Sequence, residues 1–213
     1  MNLSLLVCES HGDVWMAKFI VKAVRYLVGN RMPPSAVKGI HDLIYWQYAK
    51  IISESAGAGK KQYGFVMDRF KKLVSGEISW STSIREYVKE REKAHECIYC
   101  GNDKDLTLDH ILPKSRGGPD SPDNAVWVCR NCNSSKGDRR LYEWYGLDRR
   151  YELPRIAEGK YLKLLYVLHE QMGTLGIKDV LLLCPKCDLG AKCPKKGALT
   201  VYCLEGLFGR NST

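Results

Sequence analysis

Two Cys-x-x-Cys pairs, Cys97/Cys100 and Cys129/Cys132, stand 28 residues apart near the middle of the chain. Each pair presents two thiolates from a tight turn, and together they make the tetrahedral donor set of one Zn²⁺. Such a four-thiolate site is closed, so the ion staples the fold and does no chemistry. The chain between the pairs must therefore leave the first turn and return to it. Leu106, Thr107 and Leu108 alternate toward a strand ending in Asp109 and His110. Pro113, Gly117, Gly118, Pro119 and Pro122 mark a long loop, residues 124–128 read as a returning strand, and a helix is expected from about Asn131. The prediction is a hairpin capped by a helix, with the metal holding the helix against the hairpin base.

The polar residues inside this frame are those that phosphodiester hydrolysis needs. A water must lose a proton, and a hard cation must sit on the scissile phosphate. His110 suits the first task near neutral pH. Asp109, Asn124 and Asn133 carry the oxygen donors that Mg²⁺ prefers. Taken singly, each has an ordinary reading: a turn former, a buried histidine, a loop closer, a helix cap. Their joint presence between two zinc turns is what points to chemistry. Asp109 and His110 are adjacent, so a regular strand would send them to opposite faces. Both can serve one site only at a strand end or a local distortion.

The segment from Cys97 to Arg140 resembles the HNH endonuclease family. The resemblance implies a ββα-metal fold, with His110 as general base and Asp109 and Asn133 as ligands of a catalytic Mg²⁺ or Mn²⁺. It assigns Asn124 to fixing the loop and orienting the histidine. The last letter of the family name is often a histidine, and Asn133 stands there instead, a weaker amide ligand. The resemblance also implies products with a 5′-phosphate and a 3′-hydroxyl, and DNA as substrate, with RNA left open. Lys114, Arg116, Lys136, Arg139 and Arg140 surround the motif as candidate phosphate contacts. The rival reading is a zinc-dependent nucleic-acid-binding module or assembly subunit without cleavage activity.

The net charge of +9 favours a polyanionic partner. Residues 1–93 hold 15 basic against 9 acidic side chains, residues 94–146 hold 7 against 8, and residues 147–213 hold 11 against 7. The expected grip therefore lies on the flanks of the motif. These divisions give three segments: a helical N-terminal region (1–93), the nuclease core (94–146), and a helix with a cysteine-rich knuckle (147–213). Helical spacing is read from about Asp13 to Gly29, from a Ser35 cap through Ile52, over 62–74, over 82–95, and around Leu162–Leu168. Ala56 to Lys61 reads as a flexible basic loop rather than a phosphate-binding one, because Glu54 and Lys61 break the required pattern.

Cys184, Cys187, Cys193 and Cys203 form a second quartet, predicted to bind a second Zn²⁺, with an iron–sulfur cluster as the alternative. Cys8 is left as a core residue. The overall expectation is a mainly α chain with a small α+β core. No stretch is long and apolar enough for a membrane span, and the start lacks a basic leader, so a cytoplasmic location is expected.

Overall fold

The computed structural model describes residues 33–80, 95–194 and 197–209. They fall within one compact unit, Met32–Thr213, while a second unit, Met1–Arg31, lies outside the described residues. The helix expected from Asp13 to Gly29 lies outside them, as do Cys8 and, apart from His95, the helix expected over 82–95.

The first described helix, α1 (Ile40–Ser55), starts at a Gly39 cap rather than at Ser35. Residues 34–37 form a turn instead, with the Val37 N–H donating to the Pro34 carbonyl at 2.9 Å. Gly39 is required by closeness: a Cβ there would come within 2.4 Å of the Ile177 carbonyl oxygen. Helix α2 (Tyr63–Val74) buries Val66, Phe70 and Leu73 against α1, with Trp46 packed edge-on to Phe70. Between them, residues 56–61 are anchored rather than flexible. Lys60 is buried, and its ammonium donates to the Leu153 carbonyl and to Glu158, each at 2.8 Å.

Strands β1 (Leu106–His110) and β2 (Ala125–Cys129) pair antiparallel, with Leu106 opposite Cys129 and His110 opposite Ala125. Helix α3 (Arg130–Lys136) follows β2 without a break and packs on both strands. Helix α4 (Leu141–Arg149) leads through a short turn into α5 (Arg155–Gln171), which packs on α1. The last described stretch runs through short 3₁₀ turns at Val180–Leu182, Cys184–Lys186 and Val201–Leu204. Helices from the first and third sequence segments thus share one core around the hairpin. No helix among the described residues is long and apolar enough to cross a membrane.

Inside this core, polar groups are joined rather than avoided, as low-dielectric burial demands. Glu158 accepts from Lys60 and from the Tyr142 hydroxyl (3.1 Å). Glu205 accepts the Tyr161 hydroxyl at 2.9 Å and the Tyr142 N–H at 3.0 Å through one oxygen, while its other oxygen is buried without a hydrogen-bond partner. Burial pushes the Glu205 carboxyl up to about 7, against the pull of Arg140 and these donors. A carboxyl raised above its unfolded value stabilises the fold fully below that unfolded value. The contribution fades as pH rises through about 7. Thermal melts of the wild type should therefore fall between about pH 5 and pH 8, and those of Glu205→Gln should fall less over the same window. Parallel curves for the two proteins would remove Glu205 as the source.

Candidate functional site

The four central cysteines come together as the spacing predicts. Cys97, Cys100, Cys129 and Cys132 place their sulfurs within 4.8 Å of one another, a group that can hold a zinc ion. The Cys100 and Cys129 sulfurs are 3.6 Å apart. The first turn is shaped by backbone hydrogen bonds from Cys97 to Asn102 (2.7 Å) and from Gly101 to Cys97 (2.8 Å), with Gly101 at a φ of 75° that favours glycine. An Ile98 N–H to Trp127 carbonyl bond of 2.9 Å then stitches this turn onto β2. The second pair straddles the junction of β2 and α3. There the backbone N–H of Cys132 donates to the Cys129 sulfur and is the main reason its thiol falls to about 7. Burial raises the Cys100 and Cys132 thiols of the same quartet, so a bound metal ion would have to displace their protons.

His110 and Asp109 close β1. The His110 ring is 25% exposed, and its Nε2 lies 3.0 Å from a carboxylate oxygen of Asp120. Asp120 is shared with Lys114, whose ammonium sits 2.7 Å from its other oxygen. Hydrogen bonds from Lys114 and then His110 hold the Asp120 carboxyl below the usual carboxylate range. Nothing in the sequence singled out Asp120. It becomes a neighbour of His110 only because the loop folds back, and no periodicity encodes that return. A Gly-Gly-Pro-Asp run with a carboxylate ten residues after the histidine was the only available signal.

Asn124 makes the fold-back rigid. It is fully buried; its side-chain oxygen accepts the Leu112 N–H, and its amide donates to the Leu112 and Pro119 carbonyls, all at 2.8 Å. Gly118 passes so close beneath that a Cβ would lie 1.9 Å from the Leu112 carbonyl oxygen. The next backbone bond, Ile111 N–H to the Asn124 carbonyl (2.8 Å), carries this lock to the residue after His110.

Lys136 and Arg140, two of the candidate phosphate contacts, lie buried in ion pairs. The Lys136 side chain is fully buried, and its ammonium donates to Asp109 (3.0 Å) and to the His110 carbonyl (2.9 Å). Burial pulls this ammonium below the usual lysine range, opposed by the Asp109 carboxylate. Arg140 is fully buried as well, bonded to Glu143, to Asp188 (2.7 Å) and to the Glu205 and Phe208 carbonyls (both 2.8 Å). Arg116 is only 11% exposed at its side chain and pairs with Asp188 at 3.0 Å. Arg139 bonds back to the Ser135 and Lys136 carbonyls at the end of α3. Lys114 alone of the five is more than half exposed, at 54%, and it faces Asp120.

Asn133 lies one helical turn before Lys136 and so shares its face of α3, which packs on β1. The Asp109 carboxylate, 20% exposed, and an amide from that face are the oxygen donors that fit a hard divalent ion. The cysteines of the second quartet are not gathered like the first. Among the described residues, Cys97, Cys100, Cys129 and Cys132 are the one group of three or more whose ligand atoms all lie within 4.8 Å of one another.

Asn124→Ala should unpair the Leu112 N–H and carbonyl deep in the loop, at about 1–3 kcal/mol for each buried group left unsatisfied. Denaturant melts should register that loss without release of zinc. A melt identical to wild type would show that the loop does not depend on this side chain.

Neither the curated proteins nor the solved structures gave a match to this chain. One family model did match, over residues 97–142, which run from the first zinc-site cysteine past the end of α3 and into α4. Over about a fifth of the chain, residues 97–142, the sequence is thus similar to the HNH endonuclease family.

Proposed function

We propose that this protein is an HNH-type endonuclease that hydrolyses DNA phosphodiester bonds, with His110 as general base in a ββα-metal site. The observation that carries the reading is the pairing of His110 with Asp120 at a strand end, beside Asp109 and within the family-matched segment. A carboxylate on Nε2 favours the tautomer with its proton there, leaving the Nδ1 lone pair to accept a proton from water. Asp120 then also steadies the imidazolium that forms, as a carboxylate behind a catalytic histidine does elsewhere.

The mechanism follows from these roles. A water in line with the scissile bond loses its proton to His110 Nδ1 as its oxygen bonds to phosphorus. The 3′ oxygen leaves with the bond's electron pair and takes a proton from solvent. Asp109 and Asn133 would hold one Mg²⁺ or Mn²⁺, which when bound draws charge from the phosphate and the leaving oxygen. Lys136 fixes the Asp109 carboxylate and the His110 backbone relative to one another, so base and ligand keep their spacing. Asn124 acts through the loop as a positioning residue. Zn²⁺ on the four central cysteines holds the hairpin to α3 and takes no part in the reaction.

Phosphate contact falls to exposed cations around this core, Lys114 first among the five residues considered. With two of the five buried in ion pairs and Arg116 mostly covered in a third, the core alone should bind DNA with a shallow dependence of log affinity on log salt.

Plasmid nicking with Mg²⁺ or Mn²⁺ tests the reading. His110→Ala should lower the rate by on the order of 10²–10⁴-fold, the usual worth of a general base. Asp120→Ala should lower it less, with KM nearly unchanged, since the imidazole keeps its place but loses its tautomer bias. Full activity in either His110→Ala or a chelator-treated protein that retains its zinc would overturn the mechanism. Binding of duplex DNA without any cleavage by the wild type would favour the module without catalysis.

A further inference from the structure

The second cysteine quartet has a geometry unlike the first. Cys184, Cys187, Cys193 and Cys203 all line one cavity of about 480 Å³, between the 3₁₀ turn at Cys184–Lys186 and the one at Val201–Leu204. All four line that space, yet they do not form a group whose ligand atoms lie within 4.8 Å of one another. A tetrahedral zinc with Zn–S of about 2.3 Å holds its sulfurs about 3.8 Å apart. The first quartet meets that spacing in the same structure, with 3.6 Å between Cys100 and Cys129. The second does not enter the group within 4.8 Å, although all four of its cysteines are described.

We infer that the C-terminal quartet binds a four-iron, four-sulfide cluster rather than a single zinc ion. A cubane of that kind spreads its four thiolate ligands across a space much larger than one ion, which is what four cysteines around a common cavity provide. The walls suit it. Leu183 and Leu207 give the cavity an apolar side, and solvent exposure is one of the factors that set the potential of such a cluster. The Thr200 N–H points at the Cys203 sulfur at 3.5 Å, and the Thr200 hydroxyl lies 3.9 Å from the Cys193 sulfur. Hydrogen bonds to ligand sulfurs of this type tune cluster potential. The Cys187 sulfur lies flat against Gly206, where a Cβ would come within 2.2 Å, so Gly206 keeps that thiol's position open.

The charge around the cavity agrees. Equal parts of ferric and ferrous iron, with sulfide and four thiols, give an anionic cluster and release the four thiol protons. The buried guanidinium of Arg140 stands next to it, bonded to Asp188, the residue after Cys187. Asp188 also takes Arg116 from the loop that carries Asp120, at 3.0 Å. The cluster therefore sits behind the residue that ties the nuclease loop to the C-terminal segment, and it would hold Asp188 in place through Cys187. This inference stands on the cavity and does not depend on the nuclease reading.

The full chain, purified without oxygen, tests it by metal, sulfide and visible absorption. The expected result is about four iron and four acid-labile sulfide per chain alongside one zinc, with a brown colour that reduction bleaches. Cys187→Ser and Cys193→Ser should each lose iron and sulfide while keeping the single zinc, and the retained zinc reports that the core still folds. Two zinc ions without iron, iron without sulfide, or a C-terminal quartet that stays metal-free after anaerobic treatment with iron and sulfide would each overturn the inference. A cluster that forms without changing plasmid nicking would leave the nuclease reading intact and confine the C-terminal centre to a separate role.

Discussion

One buried guanidinium ties the parts of this molecule together. Arg140 follows α3 at the start of α4, has no exposure, and meets Glu143 in its own helix, Asp188 in the cysteine segment, and two carbonyls near the end of the described chain. A charge at that depth is tolerable only because nearly every donor has a partner. Removing any one partner leaves an unpaired charge in a low-dielectric site, so the elements around Arg140 hold together or loosen together. The same carboxylates are used twice: Asp188 also receives Arg116, and Glu143 receives Lys192 at 2.7 Å. The family-matched segment and the C-terminal cysteine segment are therefore bound by charge, through Arg140 and Arg116 to Asp188.

The loop between the strands shows how a rigid site is built on irregular chain. Loops cannot use a ladder of backbone bonds to hold a shape, so a side chain supplies it. Asn124 offers one acceptor and two donors, and all three are spent within the loop it closes. Gly118 permits the close approach that makes those bonds short. Arg116 then pins the far side of the loop to Asp188, and Asp120 is left reaching back to His110. Each device is modest alone. In series they fix a ring nitrogen and a carboxylate that are ten residues apart.

Much of the hairpin and its two cysteine turns was legible because cysteine spacing and strand alternation are local signals. The expected strands at 106–110 and 124–128 and the helix from about 131 appear at 106–110, 125–129 and 130–136. The helices at 40–55, 63–74 and 155–171 followed from apolar spacing, although the first begins at Gly39, where Ile177 crosses. Charge pairing is less legible. Lys60, Lys136 and Arg140 are each buried against a carboxylate far away in sequence: Glu158, Asp109 and Asp188. Composition records that a charge exists. It does not record which distant residue comes to neutralise it. Asp120 was missed for the same reason.

The Lys136 to Asp109 pair has a consequence for the proposed chemistry. A carboxylate that already faces a buried ammonium attracts a divalent cation less than an isolated one does, and Asn133 adds a dipole where a carboxylate would add a charge. A site of this kind would hold its metal weakly on protein oxygens alone. Mg²⁺ commonly completes its coordination with substrate phosphate and water, and here the phosphate would supply negative charge that the protein withholds. Metal and DNA would then bind with mutual support, each raising the affinity of the other. Lys136 would then act by keeping these oxygen donors from collecting an ion before the backbone to be cut has arrived.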